Sequence, residues 1–322
     1  MRKLLALVLI AVLAFSLVGC TSTETAEDET TEETTEERDG PTVRMGSMLD
    51  AEGTILGAMV MQMLEANGIP TEDMTKLGTP DVVREAIIQD EIDGTIEYTG
   101  NGQYYHEGEE GDPKWKNADE AYEAAKELDK EANDIDWLTP APANNSEYIA
   151  TTAELAEAEG LETMEDFAEY VNGGGEVMLI GSQKWVDNPL GLVGFEESYG
   201  FEIAEEQLLT LATGNTAEML TALAKGTDGV NFSLTYGTDG QLNELDLVVL
   251  EDTMDVPPVY EPTPIFQGDI VEAYPDIDDI LAPVFLSLDQ AKLQELNARV
   301  AFGGEDPADV ATSYLEENGF LE

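Results

Sequence analysis

Three tyrosines stand where strands end. Tyr98 follows a short apolar run over residues 92–96 that carries Glu97 into the turn Thr99-Gly-Asn-Gly102. Tyr236 closes Gly229-Val-Asn-Phe-Ser-Leu-Thr-Tyr236, and Tyr260 lies in the stiff loop Val256-Pro-Pro-Val-Tyr-Glu-Pro-Thr-Pro264. A quaternary ammonium has no N–H to donate, so π faces hold it better than a salt bridge does. Each face is worth about 0.5–1 kcal/mol when exposed and about 2 when desolvated. Taken singly, each tyrosine reads as an ordinary core or rim aromatic. Only a scaffold that brings the three together makes a cage of them.

Other chemistry is poorly provided for. His106 is the only histidine, set in an acidic, glycine-rich stretch where a solvated side chain is expected. Gly-x-Ser-x-Gly, the phosphate-binding P-loop and His-Glu-x-x-His are all absent. Asp276, Asp278 and Asp279 lack the glycine and terminal glutamate of a calcium loop. Binding without turnover is the expected class, with no cofactor and no metal. Capture of an amino acid would need an arginine–carboxylate clamp, and the body has arginine only at 44, 84 and 299. A hydrolase or an envelope interaction protein is the alternative from another class.

The formal charge is −55, from 69 acidic and 14 basic residues. Nucleic acid, which requires Lys and Arg against its phosphates, is excluded as a partner. In dilute buffer such a charge repels itself, whereas at molar salt the Debye length falls to roughly 3 Å. A brine-exposed protein, as from a halophile, is expected. Residues 1–20 read as a signal peptide: Arg2 and Lys3, an apolar run over 4–18 broken only by Ser16, then Leu17-Val-Gly-Cys20. That ending resembles a bacterial lipobox, which makes Cys20, the only cysteine, the site of lipid attachment. Residues 21–40, rich in Thr, Glu and Asp, are expected to form a disordered acidic tether. The protein is therefore expected to be exported and lipid-anchored, on the periplasmic or extracellular face.

The remaining roughly 280 residues exceed the usual size of one core, so two lobes are expected. Strands at 42–47, 76–79 and 92–96 alternate with helices whose inward residues include Ile55, Leu56, Met59 and Val60, then Val83, Ala86 and Ile87. This is an α/β pattern with a parallel sheet. Strand, loop and helix N-terminus in that order leave backbone N–H groups free for an anion. A second α/β unit opens at Asn144. It is expected to hold helices near 152–158, 163–171, 189–198, 204–211 and 215–225, with strands at 177–180 and 229–236. Residues 246–250 read as a strand that returns to the first unit. Lobe 1 is thus expected to be 41–143 plus 246–322 and lobe 2 144–245, with two crossings forming a hinged cleft.

The motifs in this order resemble the osmoprotectant-binding proteins of glycine betaine/choline/carnitine ABC importers, closest to the OsmF-type branch. They are Gly46-Ser with Glu52-Gly and Ile55-Leu-Gly57; Glu97-Tyr-Thr-Gly100; Trp137-Leu-Thr-Pro-Ala-Pro-Ala-Asn-Asn145; and Phe195-Glu-Glu-Ser-Tyr-Gly200. Tyr236-Gly-Thr-Asp-Gly240, Leu247-Val-Val-Leu-Glu-Asp252, Pro257-Pro-Val-Tyr260 and Leu293-Gln-Glu-Leu-Asn297 complete the set. The resemblance implies a two-lobe periplasmic-binding-protein fold of type II and a quaternary ammonium ligand, glycine betaine first, with choline, carnitine or another small polar solute as alternatives. It also implies an ABC permease with its ATPase as partner. It assigns cage roles to Tyr98, Tyr236 and Tyr260 and polar contacts to Asn101 and Asn145, and Ser47 joins the candidate set. Many relatives have an aromatic after Asn-Asn-Thr, where this chain has Glu147, with Tyr148 one step later. In a regular strand Tyr148 points to the opposite face. Glu147 either sets a negative charge beside the cation, favouring choline-like ligands, or faces solvent with the rest of the acidic surface.

Overall fold

The structure, a computed structural model, describes residues 38–212 and 215–321. The signal peptide, Cys20 and nearly all of the tether lie outside the described residues. No helix among the described residues is long and apolar enough to cross a membrane.

Two sheets form the two lobes. The strands are β1 (Val43–Met48), β2 (Thr71–Gly78), β3 (Gly94–Tyr98), β4 (Ile135–Trp137) and β5 (Glu147–Thr152), then β6 (Leu179–Ser182), β7 (Leu208–Leu211), β8 (Phe232–Tyr236), β9 (Leu247–Val249) and β10 (Pro262–Gln267). The first sheet runs β2-β1-β3-β10-β4 and the second β7-β6-β8-β5-β9. β1 is parallel to β2 and β3, while β10 lies antiparallel between β3 and β4. β3 is buried at every position, so it shows no alternation. It has one apolar layer on each face, as expected of a strand covered on both sides. Helix α1 (Ala51–Ala66) is apolar nearly all round because it is enclosed by the sheet and by the helices Gln290–Ala301 and Pro307–Glu317. Helices α2 (Pro80–Ile88), α3 (Gly102–Tyr105) and α4 (Ala118–Asn133) complete the part of this lobe that shapes the cleft.

The structure corrects three expectations. Residues 247–249 do not return to the first lobe; β9 pairs with β5 in the second sheet, and the chain re-enters the first sheet only at Pro262. The Pro-rich passage thus runs into an interior strand. Pro262 and Pro264 are tolerated there because their carbonyls accept from Ala141 and Leu138 (both 2.9 Å). Their missing N–H groups face that same flank, beyond the end of β4, and cost β3 nothing. Third, the expected helix over 204–211 is a short 3₁₀ turn, Glu205–Gln207, followed by β7, an edge strand that pairs only with β6.

The two crossings lie side by side. The Asn145 N–H donates to the Tyr260 carbonyl (2.9 Å), the Tyr260 N–H to Asn144 Oδ1 (2.9 Å), and the Ser146 hydroxyl to the Pro258 carbonyl. The hinge therefore fixes where Tyr260 stands.

Candidate ligand-binding site

A buried carboxylate, Glu52 in the first turn of α1, gathers groups from both lobes. Its Oε1 accepts from the Tyr98 hydroxyl (2.6 Å) and, more weakly, from Asn145 Nδ2 (3.4 Å); its Oε2 accepts from Asn297 Nδ2 (2.7 Å). Asn297 also donates to the Thr238 carbonyl (2.9 Å), while the Thr238 hydroxyl donates to Asn145 Oδ1 (2.8 Å). Thr238 belongs to the turn after β8, so this knot joins the lobes. Burial raises the Glu52 carboxyl to about 7 against the pull of Thr238, Tyr98 and Asn297, and the charge of Asp50 pushes the same way.

Beside the knot lie the other expected aromatics. β5 and β8 run antiparallel in unbroken register from Glu147↔Tyr236 to Thr151↔Phe232. Glu147 and Tyr236 are therefore cross-strand neighbours on one face. With no bulge, Tyr148 points to the other face, where its hydroxyl accepts from Asn144 Nδ2 (3.1 Å). Glu147 is half-buried; desolvation lifts its carboxyl to about 7, opposed by the charge of Lys184. The Tyr260 phenol is also raised by burial, and its electrostatic neighbours are Tyr104, Glu147 and Tyr236. Tyr236 is raised likewise, with Glu147, Asp239 and Asp50 nearby. The rings thus stay neutral at any physiological pH, next to carboxyls that can change charge.

Five of the expected residues come together: Tyr98 and Asn145 in the knot, Tyr236, Tyr260 and Glu147 beside it. Two do not. Ser47 donates its hydroxyl to the Met48 carbonyl (2.9 Å) and accepts from the Lys76 N–H (3.1 Å), which bridges the register shift between β1 and β2. Asn101 donates to Glu97 Oε1 (2.7 Å), inside the first lobe. Nor is the start of α1 open to an anion, since the Asp50 carboxylate already accepts from the Gly53 N–H (2.8 Å). His106 is not solvated: its side chain is 11 % exposed and Nε2 lies 3.5 Å from Asp129. Sequence reasoning overlooked Asn297 and Thr238, although both sit in the quoted motifs. Among the described residues no group of His, Cys, Asp and Glu could hold a metal ion.

Gly100 seats the Tyr260 ring. A Cβ there would lie 2.9 Å from two of its ring carbons and 2.7 Å from the Val259 carbonyl oxygen. Gly100→Ala is expected to displace the ring and weaken binding of any ligand held against it by about tenfold. Titration calorimetry beside a melting curve checks this; equal binding by the variant would refute the seating role.

A family model described as the substrate-binding domain of ABC-type glycine betaine transport systems matches residues 41–317. The chain is 43 % identical to the glycine betaine-binding protein YehZ of Escherichia coli K12, over 87 % of this chain and 92 % of that one. It is 29 % identical to a glycine-betaine-binding protein of Pseudomonas aeruginosa, over 87 % of this chain and 89 % of the relative. The structure resembles that of apo YehZ from Escherichia coli with a TM-score of 0.75 at 42 % identity, covering 88 % of this chain and all of the other.

Proposed function

Because the chain belongs to the family of substrate-binding domains of ABC-type glycine betaine transport systems, we propose that its cleft captures a quaternary ammonium osmolyte, glycine betaine first, for delivery to a permease and its ATPase. The observation that carries this is Glu147 and Tyr236 paired across β5 and β8, with the Tyr260 ring, seated on Gly100 at the hinge, within electrostatic reach of both. The Glu52 knot, with Tyr98 and Asn145, forms the floor. Neutral phenols suit a methylated cation, whose charge is spread over carbon. Choline is the second reading, favoured by the Glu147 carboxyl on the same face as Tyr236: a zwitterion's own carboxylate gains nothing from that neighbour.

The further parts of the reading follow from the sequence. Cys20 carries the lipid, and residues 21–37 are the tether, which ends where Arg38, contrary to the expected bound at 40, is docked on the body through Asp276. The charge of −55 suits work in concentrated salt, where screening removes the repulsion. Loss of palmitate labelling in Cys20→Ser tests the anchor.

Calorimetric titration in molar KCl with glycine betaine, choline, carnitine and proline tests the ligand. A quaternary amine is expected to bind and proline is not. In the double variant Tyr236→Ala, Tyr260→Ala the affinity should fall by about a thousandfold, two desolvated faces at about 2 kcal/mol each. Binding that survives both changes would sink the reading.

A further inference from the structure

One helix of the first lobe, Gln290–Ala301, carries three carboxamides on a single face. Gln290, Gln294 and Asn297 stand at i, i+4 and i+7, so their side chains share one stripe. Gln290 Oε1 accepts from the Asn144 N–H (2.8 Å) at the first crossing between the lobes, and its Nε2 would lie 2.7 Å from a Cβ on Gly237. Gln294 Nε2 donates to the Gly237 carbonyl (2.8 Å) and Asn297 Nδ2 to the Thr238 carbonyl (2.9 Å). Gln294 Oε1 in turn accepts from Asn243 Nδ2 (3.2 Å), on the second lobe's short helix Gln241–Glu244. The approach is backbone to backbone, since a Cβ on Gly240 would lie 2.6 Å from the Asn297 carbonyl carbon and from the Ala298 Cα.

The turn held in this way is the one that leaves Tyr236, and it is stiff. The Tyr236 N–H donates to Asp239 Oδ2 (2.8 Å) and the Asp239 N–H to the Tyr236 carbonyl (3.1 Å). The Thr216 and Thr235 hydroxyls donate to the same carboxylate (2.9 Å each), and the Gly237 N–H donates to the Ser146 carbonyl (2.9 Å). A shift imposed on the carbonyls of Gly237 and Thr238 therefore reaches Tyr236 instead of being absorbed on the way. Every side chain on the helix stripe is uncharged. In a chain of net charge −55 an ionic joint would be screened by molar salt, whereas hydrogen bonds between carboxamides and carbonyls are not.

We infer that Gln290, Gln294 and Asn297 are positioning residues for ligand capture: from the first lobe they fix the turn Gly237–Gly240, and through it the Tyr236 ring that the second lobe contributes. This rests on the proposed quaternary ammonium site. Their effect on affinity runs through Tyr236, so it should vanish once that ring is gone.

The test is a double-mutant cycle on the whole chain, read by titration with choline and glycine betaine in molar KCl beside melting curves. The pair Gln290→Met, Gln294→Met keeps the volume and removes the hydrogen bonds, and Kd is expected to rise about tenfold. Gln294→Lys keeps a donor for the Gly237 carbonyl and should stay within about threefold of the parent. Tyr236→Ala alone should cost about thirtyfold, and adding the methionine pair to it should cost less than a further twofold. A purely structural joint would instead repeat the tenfold loss in the Tyr236→Ala background, and that result would overturn the inference. So would a methionine pair that binds as the parent does, or a Gln294→Lys loss as large as the pair's; in both cases the site reading stands. Should the pair fail to fold, Gln294→Met alone carries the cycle, with about fivefold expected in the parent and less than twofold in Tyr236→Ala. A parent that binds neither compound brings down the site reading and this inference with it.

Discussion

Arg84→Met is expected to destabilise the folded body by about 3–5 kcal/mol, the usual consequence of leaving one member of a buried ion pair alone. The side chains of Arg84 and Asp129 are 6 % and 1 % exposed. Arg84 Nη1 donates to Asp129 Oδ2 (2.8 Å) and Nη2 to Oδ1, so the pair is bidentate. Trp137 Nε1 (2.8 Å) and Asn133 Nδ2 (3.0 Å) supply further donors. Burial alone would raise the Asp129 carboxyl, yet the hydrogen bonds and charge of Arg84, with help from Trp137 and Asn133, hold it below the ordinary carboxylate range. A lowered carboxyl contributes stability above its unfolded pKa and loses it as pH falls through the folded value. Without Arg84 only Trp137 and Asn133 oppose burial, the largest influence on this carboxyl, so the sign reverses and the variant should gain stability as pH falls. Melting followed from pH 8 to pH 5 in molar KCl should show a drop on the order of 10 °C at pH 8 that narrows toward pH 5. Salt should not erase it, because screening acts weakly on buried pairs. Asp129→Asn added to Arg84→Met should recover much of the loss, since the Trp137 N–H keeps an acceptor. A single variant that melts with the parent at every pH would mean that the pair is energetically idle.

How much of this was legible from the chain depends on the range of the forces involved. The strand ends carrying Tyr98 and Tyr236 follow from local apolar patterning, and the structure has strands there. The opposed faces of Glu147 and Tyr148 follow from strand alternation, and the unbroken β5–β8 register agrees. Other features depend on partners far away in sequence. Tyr104 and Tyr105 are identical side chains one residue apart, and only Glu97 and Arg84 decide which turns inward. The resemblance assigns Asn101 a polar contact, and its amide is given to Glu97, four residues earlier, in a bond that the turn's composition does not announce. Residues 262–264 read as the end of a stiff Pro-rich loop, and they serve as an interior strand because the flank those prolines face needs no N–H from them. Residues 208–211 combine helix-forming Leu with a glutamate-rich approach, and pairing with β6 overrides that preference. The family resemblance reached further than local pattern did: its motifs already contain Thr238 and Asn297, though not the knot they tie around Glu52.

Glu147→Gln should change which ligand wins, and by how much should depend on pH. In the free protein, desolvation pushes the Glu147 carboxyl from its ordinary 4.5 to about 7, with Lys184 opposing. The other groups around it, Tyr236, Tyr260 and Tyr104, are phenols whose own values are raised, so they stay uncharged across this window. A quaternary ammonium bound beside Glu147 favours the carboxylate, so below about pH 7 binding must expel a proton. Choline affinity should therefore climb from pH 5 to pH 8 and then level. Glycine betaine should respond less, because its own carboxylate offsets part of the attraction. In Glu147→Gln the climb should flatten, and choline at pH 8 should bind about tenfold more weakly, roughly 1.4 kcal/mol, a reasonable value for a charge pair near a protein surface. The unliganded protein should show the opposite trend in stability. A carboxyl raised in the folded state contributes fully below its unfolded value and loses that contribution as pH rises through the folded one. Glu52 and Glu261, also raised to about 7 by burial, add in the same direction. Melting without ligand should thus occur at lower temperature at pH 8 than at pH 5, less steeply in Glu147→Gln, while choline narrows the gap by binding most tightly where the empty cleft is least stable. Parallel choline titrations of the parent and Glu147→Gln across this range decide it: superimposable pH profiles would show that the carboxylate faces away from the cation and has no part in selecting it.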